Sequence, residues 1–417
     1  MKSTLISIVI SGVLAAFASA QPRYTVTDLG TLSGGTFSQA TSINDVGLVT
    51  GVSTAADGTS HAVVWLGGHI VDISQPGLGG PNSGAGGANL FGQIVLGGET
   101  TGNDPNNENF CGNFDGLICR PYVWRYGAIQ PLPTLGGNNA SWGGINNLGQ
   151  VAGYAETVVH DAACPGVPAV NGTGPYVLDF EPVIWGPKPG AVRKLPVLPG
   201  DKVGLALSIN DFGQAVGISG NCANTVLPGF TAGPHAVLWE SDGSIHDLGN
   251  LGGTANPALL AVGNAANFIN DLGHVAGGSS LPGSTTFHPY LWTKEKGMRD
   301  LGVLSGDLVG SGLAINNLDD VVGPSISAPG PASGNPRAFL WKNGQMYDLN
   351  SLVPADAPMY LLTAFGINDS EAIVGFGVTN EGDIHAFLAT PCEFCTHPIF
   401  NRPRIPCPEK ARRFLHW

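Results

Sequence analysis

The chain has 417 residues, of which 12% are charged and 43% hydrophobic, with 62 Gly, 31 Pro and a formal net charge of −13. An acidic excess of this size excludes nucleic acid as a partner, because phosphate contacts need a basic face, and it argues against adsorption to anionic lipid. Low charge with this much Gly and Pro would suit disorder, but the hydrophobic residues sit in short β-type runs, which argues for a folded all-β chain.

In chain order, residues 1–20 read as a secretory signal. Lys2 gives a positive start, residues 5–17 are an apolar run, and Ala18-Ser19-Ala20 is a small-residue cleavage site before Gln21. The run is shorter than the roughly 20 residues of a membrane-spanning helix, and no other stretch is long and apolar enough to cross a bilayer. The expected product is an exported, soluble chain starting near Gln21, with no membrane insertion.

Next comes an isolated strand, residues 24–30, and then seven copies of one phrase. The clearest are Ile43-Asn44-Asp45-Val46-Gly47, Ile209-Asn210-Asp211-Phe212-Gly213 and Ile269-Asn270-Asp271-Leu272-Gly273. Weaker copies start at Ile145, Ile315 and Ile367, and the most degenerate is Asn89-Leu90-Phe91-Gly92. The Asn-Asp-x-Gly step predicts a tight hairpin turn. Its polar side chains bond nearby backbone amides, and its Gly takes a positive φ. Each copy is followed by a Val-x-Gly-like strand and then by a third strand ending in an aromatic, such as His61-Ala62-Val63-Val64-Trp65 or Arg337-Ala338-Phe339-Leu340-Trp341. A fourth short strand completes most units.

Four strands in roughly 40 to 60 residues match a propeller blade. The chain starts with an unpaired fourth strand and ends its last unit after the third, near Ala389. Pairing the two ends would close the ring and remove exposed sheet edges. The expectation is therefore a seven-bladed β-propeller over residues 21–391, closed by the N-terminal strand. An open stack or β-helix, which would need capping repeats, is the rival.

These phrases resemble the HAF-repeat extracellular proteins, named for a His-Ala-Phe triplet. His385-Ala386-Phe387 is that triplet, and His61-Ala62-Val63 and His235-Ala236-Val237 are near copies. The Asp-Leu-Gly-x-Leu-x-Gly-Gly phrase at residues 28–35 fits as well. The likeness covers residues 24–389 and departs at residues 88–98, where Ile-Asn-Asp is lost, and at Pro182-Val183. It implies an exported, propeller-like repeat protein and carries no established chemistry.

Seven Cys in an exported chain point to disulfides with one thiol left over. Cys111 and Cys119 share one insertion, while Cys164 and Cys222 lie in neighbouring ones and would pair across them. Cys392, Cys395 and Cys407 fall in a basic tail, residues 392–417, read as flexible.

Among residues that suggest chemistry, the triplet histidines His61, His235, His288 and His385 read as strand-start residues that cap a loop. The Asn-Asp turns lack the alternating oxygens and distal acid of a calcium loop. The recurring Trp65, Trp124, Trp185, Trp239, Trp292 and Trp341 read as packing between blades. No metal, cofactor or catalytic residue is assigned. Ligand-binding candidates lie in the insertions, where loops on a rigid scaffold carry function. They are Glu99, Asp104 and Arg120 in residues 99–120, and His160 and Glu181 in residues 160–181. Trp142, outside the repeat register, is a surface candidate. The expected function is a secreted, non-enzymatic module that binds an extracellular polysaccharide or protein through loops on one face. The alternative is a hydrolase or lyase of polysaccharide at the channel mouth, which needs acids from different blades to meet at the axis.

Overall fold

A computed structural model describes residues 23–74, 79–108, 110–113, 115–161, 164, 176–222, 225, 232–255, 263–327 and 336–392. Residues 1–20, read as a secretory signal, and the tail beyond Cys392 lie outside them. The strands form seven antiparallel sheets, each ordered from an innermost to an outermost strand. Blade 1 is built from Ser38–Ile43, Val49–Thr54, Ser60–Leu66 and His69–Asp72. Blades 2 to 5 repeat the pattern, and blade 6 differs in having its innermost strand broken into Val309–Gly310 and Ala314–Ile315. The fold is a seven-bladed β-propeller.

Blade 7 takes three strands from the end of the chain, Met359–Ile367, Ile373–Thr379 and Ile384–Pro391, and its outer strand, Tyr24–Asp28, from the beginning. The closing register runs from Tyr24 opposite Pro391 to Asp28 opposite Phe387. The N-terminal strand thus closes the ring as its sequence implies, although it ends at Asp28 rather than Gly30. Tyr24 is fully buried, and its amide donates to the Leu352 carbonyl at 2.9 Å, which fixes this strand to the blade 6–7 junction.

The core lies in layers between blades rather than in one central mass. One layer joins Val63 and Trp65 of blade 1 to Val374 and Ala386 of blade 7. The repeated tryptophans do pack there. Trp65, Trp185 and Trp239 are buried, and their indole N–H groups donate to Leu29, Pro133 and Pro196 carbonyls just past the outer strand of the preceding blade, at 2.7 to 2.8 Å. The second strands carry the recurring Val-x-Gly because the innermost strand approaches too closely for a side chain. At Gly217 a Cβ would collide with the Leu205 carbonyl.

The antiparallel registers place all the Asn-Asp turns on one face, together with the turns between third and fourth strands. The long insertions join second to third strands and so lie on the opposite face. Two disulfides, Cys111–Cys119 and Cys164–Cys222, close those insertions, as an oxidising environment would allow. Among the described residues no helix is long and apolar enough to cross a membrane.

Candidate functional site

Both ends of the Asn amide in the repeated phrase are used. In Asn270, Oδ1 accepts from the Leu272 and His274 amides and so forms the turn within its own blade. Its Nδ2 donates to the Asn316 carbonyl of the next blade at 2.9 Å. The same step recurs from Asn44 to Asn89, Asn146, Asn210, Asn270, Asn316 and Asn368, and Asn368 donates back to the Asn44 carbonyl at 3.1 Å. A ring of side-chain amides therefore runs right around the axis. The reading of these residues as turn formers was correct but incomplete, since the same amide also joins the blades.

The next position forms a second ring nearer solvent. The Asn147 amide donates to Asp211, Asp211 to Asp271, Asp271 to Asn317, Asn317 to Asp369 and Asp369 to Asp45, at 2.7 to 3.0 Å. Leu90 also donates to Asn147, but has no side-chain acceptor for Asp45, so the ring opens there. Four carboxylates, Asp45, Asp211, Asp271 and Asp369, thus stand on this ring, contributed by four blades. None of them forms an ion pair among the described residues. Burial, and then the charges of Asp211 and Asp369, hold the Asp271 carboxyl above its usual range.

Around the acids stand the turn tips. Val46, Phe91, Leu148, Phe212, Leu272 and Leu318 are 57% to 70% exposed, and Leu90 is 42% exposed. Scattered exposed hydrophobics are ordinary, but these seven are more than half of the thirteen large ones that the described residues leave exposed. Only blade 7, with Ser370, lacks an apolar tip. A cleft of about 390 Å³ opens on the same face between blades 5 and 6, where Arg299 lies 5.1 Å over the Trp341 ring beside Leu318.

The sequence candidates are placed elsewhere. His160 is exposed at the end of Val151–His160. Arg120 and Glu181 occupy the triplet-histidine position of blades 2 and 3, a register that Pro121 and Pro182 had obscured. In the other blades that position pairs with an outer-strand aspartate: His61 with Asp72 at 2.6 Å, His235 with Asp247 at 3.2 Å, His288 with Asp300 at 3.0 Å and Arg337 with Asp348 at 3.2 Å. His385 pairs with Asp28 of the closing strand at 3.0 Å. Blade 3 reverses the charges, with Glu181 on Lys194. In six blades the triplet residue is therefore the polar partner of an outer-strand side chain rather than a loop cap. Trp142 is half-buried, its ring lying against Gly86 and Gly97 of blade 2, so it packs between blades instead of forming an open platform.

The insertion acids are not solvated either. Glu99 is fully buried and accepts from the Asn82 amide and side chain and from Asn113 Nδ2. Asp104 is brought against Glu108 and against Glu156, a strand residue that no motif marks. Burial, and then the charge of Glu108, pushes Glu156 up to about 8, and burial raises Glu108 too. A second acidic group, Asp161 and Asp179, includes Cys164, which the disulfide removes as a ligand, and Lys202 pairs with Asp161.

No protein-family model matches the chain, and no curated protein matches it. Among solved structures it is similar to dipeptidyl peptidase 4 of Porphyromonas gingivalis, at 11% identity and a TM-score of 0.36, over 81% of this chain and 50% of that one. The chain thus spans half the length of that peptidase. It is also similar to the Aleuria aurantia lectin, at 9% identity and a TM-score of 0.32 over 88% and 96%. A third is the Trypanosoma rangeli sialidase, at 11% and 0.37 over 85% and 54%. These likenesses concern the arrangement of sheets alone.

Proposed function

We propose that the chain is a secreted, non-enzymatic propeller of the HAF-repeat type that binds an extracellular protein at the channel mouth. The observation that carries this reading is the ring of four carboxylates enclosed by exposed apolar tips. Apolar tips at one turn of six blades remain hydrated until something covers them, and this concentration of exposed apolar side chains on one face favours a protein partner. Aspartates that have no ion-pair partner among the described residues select a basic side chain, steering association and fixing orientation. Five of the seven tips are aliphatic, and they suit a polypeptide better than a sugar, which stacks on flat aromatic faces such as Phe91 and Phe212 alone would offer. The partner is thus a polypeptide segment with an Arg or Lys flanked by apolar residues.

The rival, a hydrolase or lyase, draws on the same acids, with Asp271 as the proton donor. However, all four carboxylates already accept a backbone amide from a neighbouring blade. The test is selection from a displayed peptide library with residues 21–417, with a glycan panel run in parallel. Enriched peptides should carry Arg or Lys beside Leu or Phe, and Asp211→Asn with Asp271→Asn should weaken them at least about tenfold, the scale of a lost charged contact. Equal binding by that double variant, or glycan binding that it abolishes, sinks the protein-partner reading. Polysaccharide cleavage lost on Asp271→Asn establishes the rival.

A further inference from the structure

On the opposite face, described residues of the insertions of blades 2 and 3 come together at a small group of carboxylates. Asp104 and Glu108 follow the strand Ile94–Asn103 of blade 2, and Glu156 belongs to Val151–His160 of blade 3. Both glutamates are fully buried and Asp104 is 6% exposed. One oxygen of each lies within 4.8 Å of the others. Among the described residues no Lys, Arg or His forms an ion pair with any of the three. Arg120 is close enough to feel the charge of Glu156. Three carboxylates against one guanidinium leave a formal charge of about −2 when all are ionised.

Two buried polar groups in this place have no partner among the described residues. Glu156 Oε2 accepts from the Asn138 and Asn139 amides, but its Oε1 is buried with no hydrogen bond. The Tyr176 hydroxyl is likewise buried and unpartnered. Burial and then the charges of Tyr154, Glu108 and Glu156 hold that phenol well above its usual range, which places it beside the carboxylates. Leaving such groups unsatisfied is costly, and an ion is a recognised explanation. The surrounding scaffold is already rigid. Asn139 Nδ2 bridges Asp104 and Glu156 at 2.8 and 3.3 Å, and Glu108 Oε1 accepts the Val177 and Leu178 amides from the other insertion. Asp104-x-Asn106-x-Glu108 also supplies the alternating oxygens that the repeated Asn-Asp turns lack, with Glu156 as the distal acid.

We propose that Asp104, Glu108 and Glu156 bind a calcium ion that staples the insertions of blades 2 and 3 together. The donor set is entirely oxygen and anionic, which suits a hard cation. Zinc and copper favour imidazole and thiolate, and Mg²⁺ keeps several waters that a buried cluster has little room for. The slight exposure of Asp104 marks the side from which the ion enters.

The test uses residues 21–417 with disulfides intact, stripped with EDTA and dialysed. Bound metal is counted by mass spectrometry and Tm is measured with Ca²⁺, with Mg²⁺ and with chelator. About one Ca²⁺ per chain is expected, with Tm raised about 3 °C at a hundredfold excess over Kd. Glu156→Gln preserves shape and removes a buried charge, so this variant should fold without metal, at or above the Tm of the stripped parent, and lose the calcium shift. Should it fail to fold, Glu108→Gln reads out the same loss. Absence of bound calcium and of any shift overturns the proposal, as does a full shift in a folded Glu→Gln variant. An equal response to Mg²⁺ overturns the assignment to calcium.

Discussion

Replacing Asn270 by Ala should show how much the amide ring contributes to stability. Asn270 is 5% exposed. Its Nδ2 donates to the Asn316 carbonyl at 2.9 Å and to Asp319 Oδ1 at 3.1 Å, and its Oδ1 accepts from the Leu272 and His274 amides at 3.1 and 2.9 Å. At about 1 kcal/mol net for each bond, with some relaxation and entry of water, the loss should be about 3 to 4 kcal/mol. Asn44, at the equivalent place in blade 1, is only half-buried and makes two such bonds, to the Asn89 carbonyl and from the Leu48 amide. Asn44→Ala should therefore cost about 1 to 2 kcal/mol. Equilibrium urea unfolding of residues 21–417, followed by tryptophan fluorescence, measures both. A loss below about 1 kcal/mol at Asn270, or one no larger than at Asn44, would refute the claim that the ring holds the blades together.

Two further perturbations test the closure and the blade 2–3 junction. The hydrogen bond that His385 donates to Asp28 raises the histidine, outweighing the opposing effect of burial. Burial alone would raise Asp28, but the bonds from His385 and the Gly30 amide and the imidazolium charge together lower it. The histidine contribution is complete below its unfolded value of about 6.5 and lost as pH rises through the raised value, while the aspartate contribution is present above about 3.9 and lost as pH falls through the lowered one. The Tm difference between the parent and Asp28→Asn should therefore be largest near pH 5 to 6 and shrink towards pH 8.5, and a difference that grows with pH contradicts this pairing. At Gly97 a Cβ would lie within the Trp142 ring. Gly97→Ala should cost about 2 kcal/mol or more by overpacking, and Trp142→Leu in the same chain should recover part of it. Strictly additive losses would show that the ring does not press on this glycine.

What a single blade needs was legible in its sequence. The hairpin step at Asn210-Asp211-Phe212-Gly213, the Val-x-Gly strand and the terminal Trp are local signals, and seven copies in register give the blade count. The missing fourth strand at one end and the spare one at the other gave the closure, because a strand edge must find a partner. The pairing of Cys111 with Cys119 was legible from their shared insertion.

Contacts between blades were not legible, because they depend on the angle at which one sheet meets the next. The Asn44 turn reads the same whether or not its Nδ2 reaches Asn89. Nothing in the phrase Asn270-Asp271-Leu272 says that its acid accepts an amide of the preceding blade while its apolar tip stays in solvent. Glu156 escaped notice because it is one acid in an ordinary strand, and it gains chemical meaning only where two insertions, distant in sequence, fold over it. Arg120 and Glu181 were noticed as loop charges, but the sheet register makes them the triplet positions of blades 2 and 3. Sequence alone determined the period, the strand order and the ring. Tertiary structure decided which polar groups were left facing solvent and which were buried together, because burial and charge proximity are set by distances that no local pattern encodes.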